Sequence, residues 1–294
     1  MTMPIRTTTE RLAAILLLAA ALPVTAQTPL FDAHLHYQAD QRAEIQPEAI
    51  LATLEENGIE HAVVTSTPPE NTRVLHELAP ERIVPFLGVY RDAADKPAWM
   101  HDETLPDRVE AWLDEGDWRG IGELHIFGSD RDSPVLERLV EIAAERHLVL
   151  MIHGDLAVID RIFAIEPDSQ VLWAHLGDQP DPTVLRAALA RHPHGLFIDT
   201  SVRDERFLDA DGDLLPEWRS LFVDHPNRFV VGVDTYSLKR WQRFDDAART
   251  IRQWLDQLPP SVARRIAREN ARELLLDPLA LEAPEASGQL DFER

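Results

Sequence analysis

Leu30-Phe31-Asp32-Ala33-His34-Leu35-His36-Tyr37 is an apolar run carrying two histidines two positions apart. Side chains of an extended strand alternate between its faces, so His34 and His36 point the same way. Two imidazoles a few ångströms apart on one face form half of a site for a borderline metal such as zinc. Alone, the pair carries little weight. The rest of the chain, where runs of the same kind recur, gives it meaning.

Seven further apolar runs occupy 61–66, 83–90, 120–127, 148–154, 170–177, 195–201 and 229–236, and each reads as a strand with 30–37 as the first. Amphipathic helical patterns lie between them. The pattern at 47–57 stops at Gly58, which suits a helix C-terminus. Ser133-Pro134 opens a helix over 135–146 with Leu136, Leu139, Val140 and Ala143 on one stripe. Further helices are predicted at 155–165, 182–191, 216–223 and 245–258. Strands alternating with helices imply βαβ units and a parallel sheet. Eight units in one α/β chain close most simply into a single (β/α)8 TIM barrel. An open doubly wound sheet would carry a glycine-rich phosphate turn after its first strand, and here that place holds His34 and His36. The stretch 91–118 is longer than an ordinary connection. With Trp99, Trp112 and Trp118 it reads either as a lid over the barrel mouth or as a packing insertion.

The chain contains no cysteine, so any metal is held by nitrogen and oxygen ligands. With 51 acidic against 29 basic residues, its net charge of -22 argues against nucleic acid and anionic membranes, both of which need a basic surface. A small-molecule substrate is the expected partner, and self-association into a homo-oligomer is compatible with that charge. Residues 1–26 have the marks of a secretory signal peptide. Arg6 and Arg11 precede a short apolar run over 12–22, and Pro23-Val24-Thr25-Ala26 offers a small-residue cleavage site. The mature chain then begins at Gln27, while an uncleaved anchor is the competing reading. Export without cysteine suits a bacterial periplasm. The barrel is expected over 27–281, and 282–294 lacks apolar periodicity and reads as a flexible tail.

In such barrels the chemistry gathers at the C-terminal ends of the strands. The polar residues of the apolar runs fall there: Glu123 and His125 on the fourth, His153 closing the fifth, His175 near the end of the sixth and Asp234 on the eighth. With His34 and His36 this makes five imidazoles and two carboxylates at one end of a barrel. Buried polar groups without partners cost several kcal/mol each, so the collection calls for a shared partner, and a divalent cation is the natural one.

These residues in these places resemble the amidohydrolase superfamily, and within it the amidohydrolase-related branch of metal-dependent hydrolases with a TIM-barrel fold. The stretch Ile266-Ala267-Arg268-Glu269-Asn270-Ala271-Arg272-Glu273-Leu274-Leu275 is similar to that branch's final helix, with its Asn-Ala-x-x-Leu pattern. The resemblance implies that His34, His36, His153 and Asp234 hold a first ion, and that His175 binds a second or orients substrate. Many members place a carboxylated lysine on strand four. Here Glu123 would be the bridging oxygen ligand, and one ion or two both remain open. Zinc is the default, with manganese, iron and copper as alternatives. His125 is left as a ligand, a proton donor or a substrate contact.

The implied chemistry is hydrolysis of an amide, lactone or other ester by a metal-activated water, with Asp234 as general base and His175 or His125 stabilising the oxyanion. Arg91 and Arg203 fall at the mouth, where either can pair with a substrate carboxylate or with a nearby acid. Tyr236 is a further substrate-binding candidate, and Asp178, Asp199 and Ser201 are rim candidates. Two alternatives stay open: metal-dependent non-oxidative decarboxylation of an unsaturated or aromatic acid, and a non-catalytic barrel that only binds a metal or ligand. A carboxylate poised as Asp234 is predicted to be argues against the last.

Overall fold

The computed structural model describes residues 27–277. The predicted signal peptide over 1–26 and the predicted tail over 282–294 lie outside the described residues. Among the described residues no helix is long and apolar enough to cross a membrane.

Eight parallel strands follow one another in chain order: β1 (Leu30–His36), β2 (Ile59–Thr65), β3 (Ile83–Leu87), β4 (Gly120–His125), β5 (Val149–His153), β6 (Gln170–Trp173), β7 (Leu196–Asp199) and β8 (Phe229–Val230). The ring closes through two backbone bonds, from Ala33 N–H to the Val231 carbonyl at 2.8 Å and from Asp234 N–H to the His34 carbonyl at 2.7 Å. Gly232 permits this approach, because a Cβ there would stand 2.9 Å from Cβ of His34. The protein is a (β/α)8 TIM barrel, as the alternation of runs predicts.

The barrel interior below the site is apolar: Phe31 and Ala33 of β1, Val149 and Met151 of β5, with Val63, Phe86, Leu172 and Phe197 from other strands. The larger core lies between the sheet and the helices around it. Strict alternation from Phe31 and Ala33 would turn His34 outward. A register shift between Asp32 and Leu35 changes the parity, so that Leu35 packs outside and His34 and His36 face in. A second shift, between Ile121 and Leu124, does the same for Glu123 and His125 on β4.

Helix caps follow from the sequence. The Ser133 hydroxyl accepts from the N–H groups of Val135 and Leu136, and the carboxylates of Asp155 and Asp181 accept from the first turns they precede. Gly58, at φ 61°, turns the chain off the helix Pro47–Glu56 into β2. In 91–118 the chain makes a 3-10 turn at Trp99–His101 and the helix Leu105–Leu113. Trp99 and Trp118 are buried, so the tryptophans pack and do not roof the mouth, while Arg91, Asp92, Ala93 and Lys96 edge the cavity. The Asn-Ala-x-x-Leu pattern is structural. Asn270 donates from Nδ2 to the carbonyls of Pro226 and Phe229, each at 2.8 Å, and so ties the last helix to the start of β8.

Candidate metal centre

A cavity of about 820 Å³ opens at the C-terminal ends of the strands. Its floor is made by His36, Glu123, His125, His153, His175 and Asp234, and Arg91, Arg203 and Tyr236 edge it. His34 is buried beneath. The residues singled out from sequence therefore share one place, though two of them reach it differently from expectation. His175 is not on a strand but in a 3-10 turn after β6, at φ 60°, and Asp234 lies beyond the short β8, at φ 54°. The predicted strands 170–177 and 229–236 run too long: β6 ends at Trp173 and β8 at Val230, ahead of the left-handed backbone at His175 and Asp234.

Glu123 is the hub. Its Oε1 lies 2.9 Å from His153 Nδ1 and 2.9 Å from His175 Nε2. Its Oε2 lies 3.5 Å from His36 Nε2 and 3.3 Å from His125 Nε2. Behind the hub, partners fix the rings. His34 Nδ1 donates to Asp199 Oδ2 at 2.8 Å and His36 Nδ1 donates to the Thr65 carbonyl at 3.1 Å. In its neutral form each ring then turns an unprotonated Nε2 to the cavity, open to a proton or a cation, and the two Nε2 atoms are 3.2 Å apart. Two imidazole nitrogens bound to one tetrahedral ion at about 2.1 Å stand roughly 3.4 Å from each other, so the pair is already set for a shared cation. Asp234 Oδ1 is buried and accepts no hydrogen bond, although His36 Nε2 is 3.2 Å away. An orphaned carboxylate oxygen beside two imidazole lone pairs is what a cation ligand set looks like before the cation is counted. The residues fit a divalent metal.

The electrostatics agree. Burial pushes the His34 imidazole down, but Asp199, Asp234 and Glu123 outweigh it and hold its pKa at about 10. Burial likewise works to raise the Glu123 carboxyl, yet His125, His34, His153 and His175 hold it well below the usual carboxylate range. His125 goes the other way: desolvation drives it down to about 3 against the pull of Glu123. The pocket thus favours positive charge at His34 and Glu123, whether it arrives as protons or as a metal ion.

The spacing of donor atoms splits the ligand set. His34, His36 and Glu123 form one group able to hold an ion, and Glu123, His125 and His153 form another. The structure thus draws His153 towards Glu123, whereas the resemblance places it with His34 and His36. A third group, His34, His175 and Asp199, is buried behind the first.

Two rim candidates turn out to be supports. Asp199 is fully buried behind His34, and the Ser201 hydroxyl lies 2.8 Å from His175 Nδ1. Strand alternation could have shown this, since Phe197 faces the interior and Asp199 is two residues on. Tyr90 and Thr65, which hold His125 and His36, were missed because an apolar run ending in Tyr or Thr carries no chemical signal of its own. Arg91 is tied to Asp95, with Nε to Oδ2 at 2.9 Å and Nη2 to Oδ1 at 2.8 Å, so it forms an ion pair at the edge of the cavity. Arg203 has no acid within 4 Å among the described residues, and its Nε lies 3.4 Å from the His175 carbonyl. Tyr236 is 60% exposed on the rim, and Asp178 is exposed outside the cavity.

The family described as TatD related DNase matches residues 31–166. No curated protein matches the sequence. Among solved structures, an amidohydrolase from Burkholderia multivorans aligns at 16% identity and TM-score 0.54, covering 84% of this chain and 98% of its own. A candidate 2-pyrone-4,6-dicarboxylic acid hydrolase from Pseudomonas putida aligns at 13% identity and TM-score 0.57, covering 84% and 97%. The TatD homologue YJJV from Escherichia coli K12 aligns at 14% identity and TM-score 0.59, covering 87% and 98%. The three likenesses show the barrel. The family match over residues 31–166 and the barrel likenesses are what the chain is similar to.

Proposed function

We propose that the protein is a metal-dependent hydrolase of small molecules bearing an amide, lactone or other ester bond. The observation that carries the reading is Asp234, whose buried Oδ1 lacks a hydrogen bond beside the facing Nε2 atoms of His34 and His36. His34, His36, Glu123 and Asp234 would hold one ion, and Glu123 with His153 and His175 would hold a second where two are bound. A bound divalent ion, with zinc as first choice, supplies Lewis acidity and a nucleophilic water at neutral pH. Asp234 accepts the proton of the attacking water on its carboxylate and delivers it to the leaving nitrogen or oxygen. His175 and His125 face the same cavity and support the developing oxyanion. Arg203 and Tyr236 at the rim hold the remainder of the substrate, and Arg91 acts there through its pair with Asp95.

The test is elemental analysis of the full chain and of His153→Ala, followed by turnover on lactones, amides and 4-nitrophenyl esters. One or two zinc equivalents, reduced in the variant, with turnover lowered about 10²- to 10⁴-fold in Asp234→Asn, support the reading. A protein that takes up no metal and stays inert overturns it.

The family match favours a second reading, hydrolysis of a phosphodiester. Bis(4-nitrophenyl) phosphate in the same panel separates the two. The net charge of -22 weighs against a long polyanionic substrate.

A further inference from the structure

Five imidazoles face Glu123 or its neighbours, and two of them, His125 and His175, meet a hydroxyl at Nδ1. The rings of His34 and His36 give their Nδ1 protons to acceptors that have none to return, a carboxylate and a backbone carbonyl. His125 is met by a phenol. Its own backbone N–H donates to the Tyr90 oxygen at 2.8 Å, which places that oxygen as an acceptor. The Tyr90 hydroxyl proton then needs another acceptor, at a position on the cavity wall that is largely shielded from solvent. Among the described residues the acceptor in reach is His125 Nδ1, at 3.3 Å. A nitrogen that accepts cannot carry the ring proton, so a neutral His125 carries it on Nε2. That atom faces the cavity, 3.3 Å from Glu123 Oε2. The main chain at this point is pinned as well, since the Trp99 indole donates to the His125 carbonyl at 2.9 Å.

We infer that Tyr90 locks His125 in the Nε2–H tautomer, so that His125 stands outside the metal-ligand set and offers a neutral N–H donor to the substrate oxygen. This rests on the proposed hydrolase reading for the substrate but not for the tautomer. Distance alone allows His125 to join Glu123 and His153 around an ion. The hydrogen-bond pattern argues against it, because in the Nε2–H tautomer that nitrogen has no lone pair to give. Tyr90 is the positioning residue, and the donor that touches substrate is His125.

Long-range proton–nitrogen NMR of the full chain, with and without zinc, reads the tautomer directly, and His125→Gln assigns the signals. The expected spectrum shows a pyridine-type Nδ1 and a pyrrole-type Nε2 for His125, and Tyr90→Phe is expected to release the ring into a mixture of tautomers. Zinc content is the second readout. His125→Gln keeps the wild-type number of equivalents, whereas His153→Gln loses at least one. On whichever ester the protein turns over, His125→Leu lowers kcat about 10²- to 10³-fold, and the amide of His125→Gln restores part of it. An unprotonated Nε2 in the zinc-loaded protein, or an equivalent of zinc lost in His125→Gln, overturns the inference. Failure of the wild type to bind zinc instead overturns the hydrolase reading, and the tautomer measured in the same sample is judged separately.

Discussion

His34 Nδ1 lies 2.8 Å from Asp199 Oδ2, with both side chains fully buried, so a carboxylate on β7 sets which nitrogen of a β1 histidine faces the cavity. Asp199 is itself held by the Ser201 N–H at 2.6 Å. Outer partners of this kind fix ring orientation and raise ligand basicity, and their loss costs 10- to 100-fold in metal affinity as an order of magnitude. Asp199→Ala is therefore expected to weaken zinc binding by about that factor while circular dichroism shows a folded barrel. Competition with a chromogenic chelator measures it, and unchanged affinity would remove Asp199 from the site.

Fold and site were not equally readable in the chain. Alternating runs and helical stripes are enough for a barrel because eight βα units leave little other choice, and the histidines mark strand ends because apolar strands seldom carry them. What periodicity hides is the change of face. Phe31 and Ala33 point inward, and so does His34, which no pattern of period two allows without the register shift beside it. His175 and Asp234 fall inside the predicted strands 170–177 and 229–236, but β6 and β8 end before them and both have left-handed backbone. The contacts of Tyr90 with His125 depend on tertiary placement, on which local sequence is silent.

Arg91 and Asp95 give a titration that can be followed. The Arg91 guanidinium donates two hydrogen bonds to Asp95 and holds its carboxyl down at about 2. A depressed folded pKa adds stability above the unfolded value and loses it as the pH falls towards the folded one, so the contribution fades between about pH 4 and pH 2. Arg91→Ala should return Asp95 to the ordinary carboxylate range, read by carbon-detected NMR. Because Arg91 is open to solvent, the melting temperature at neutral pH should scarcely move.

Among the described residues Arg203 has no acidic partner, in a chain rich in acids. A hydrogen bond to a charged group contributes about 1.5–3 kcal/mol, so Arg203→Ala should raise KM about 10- to 100-fold for a carboxylate-bearing ester such as mono-4-nitrophenyl glutarate. The neutral 4-nitrophenyl acetate should be unaffected, with kcat similar for both enzymes. An equal loss on both substrates would assign Arg203 to the structure of the turn.

Export is tested at the N-terminus. Expressed as the full chain in a bacterium, the protein is expected in the periplasmic fraction, beginning at Gln27 by mass spectrometry. A chain that keeps Arg6 and Arg11 and sediments with membranes would favour the uncleaved anchor.

Asn270 separates structural from chemical readings of the C-terminal motif. Its side-chain amide bonds two carbonyls, of Pro226 and Phe229, and Phe229 begins the strand that leads to Asp234. Asn270→Ala leaves both carbonyls without this donor in a buried place, which costs on the order of 1–3 kcal/mol. For a domain of this size each kcal/mol lowers the melting temperature by about 2–4 °C. Zinc stoichiometry should hold, since Asn270 touches none of the proposed ligands. If zinc were lost while the melting temperature stayed, the motif would belong to the site, through the short β8 and the turn that carries Asp234.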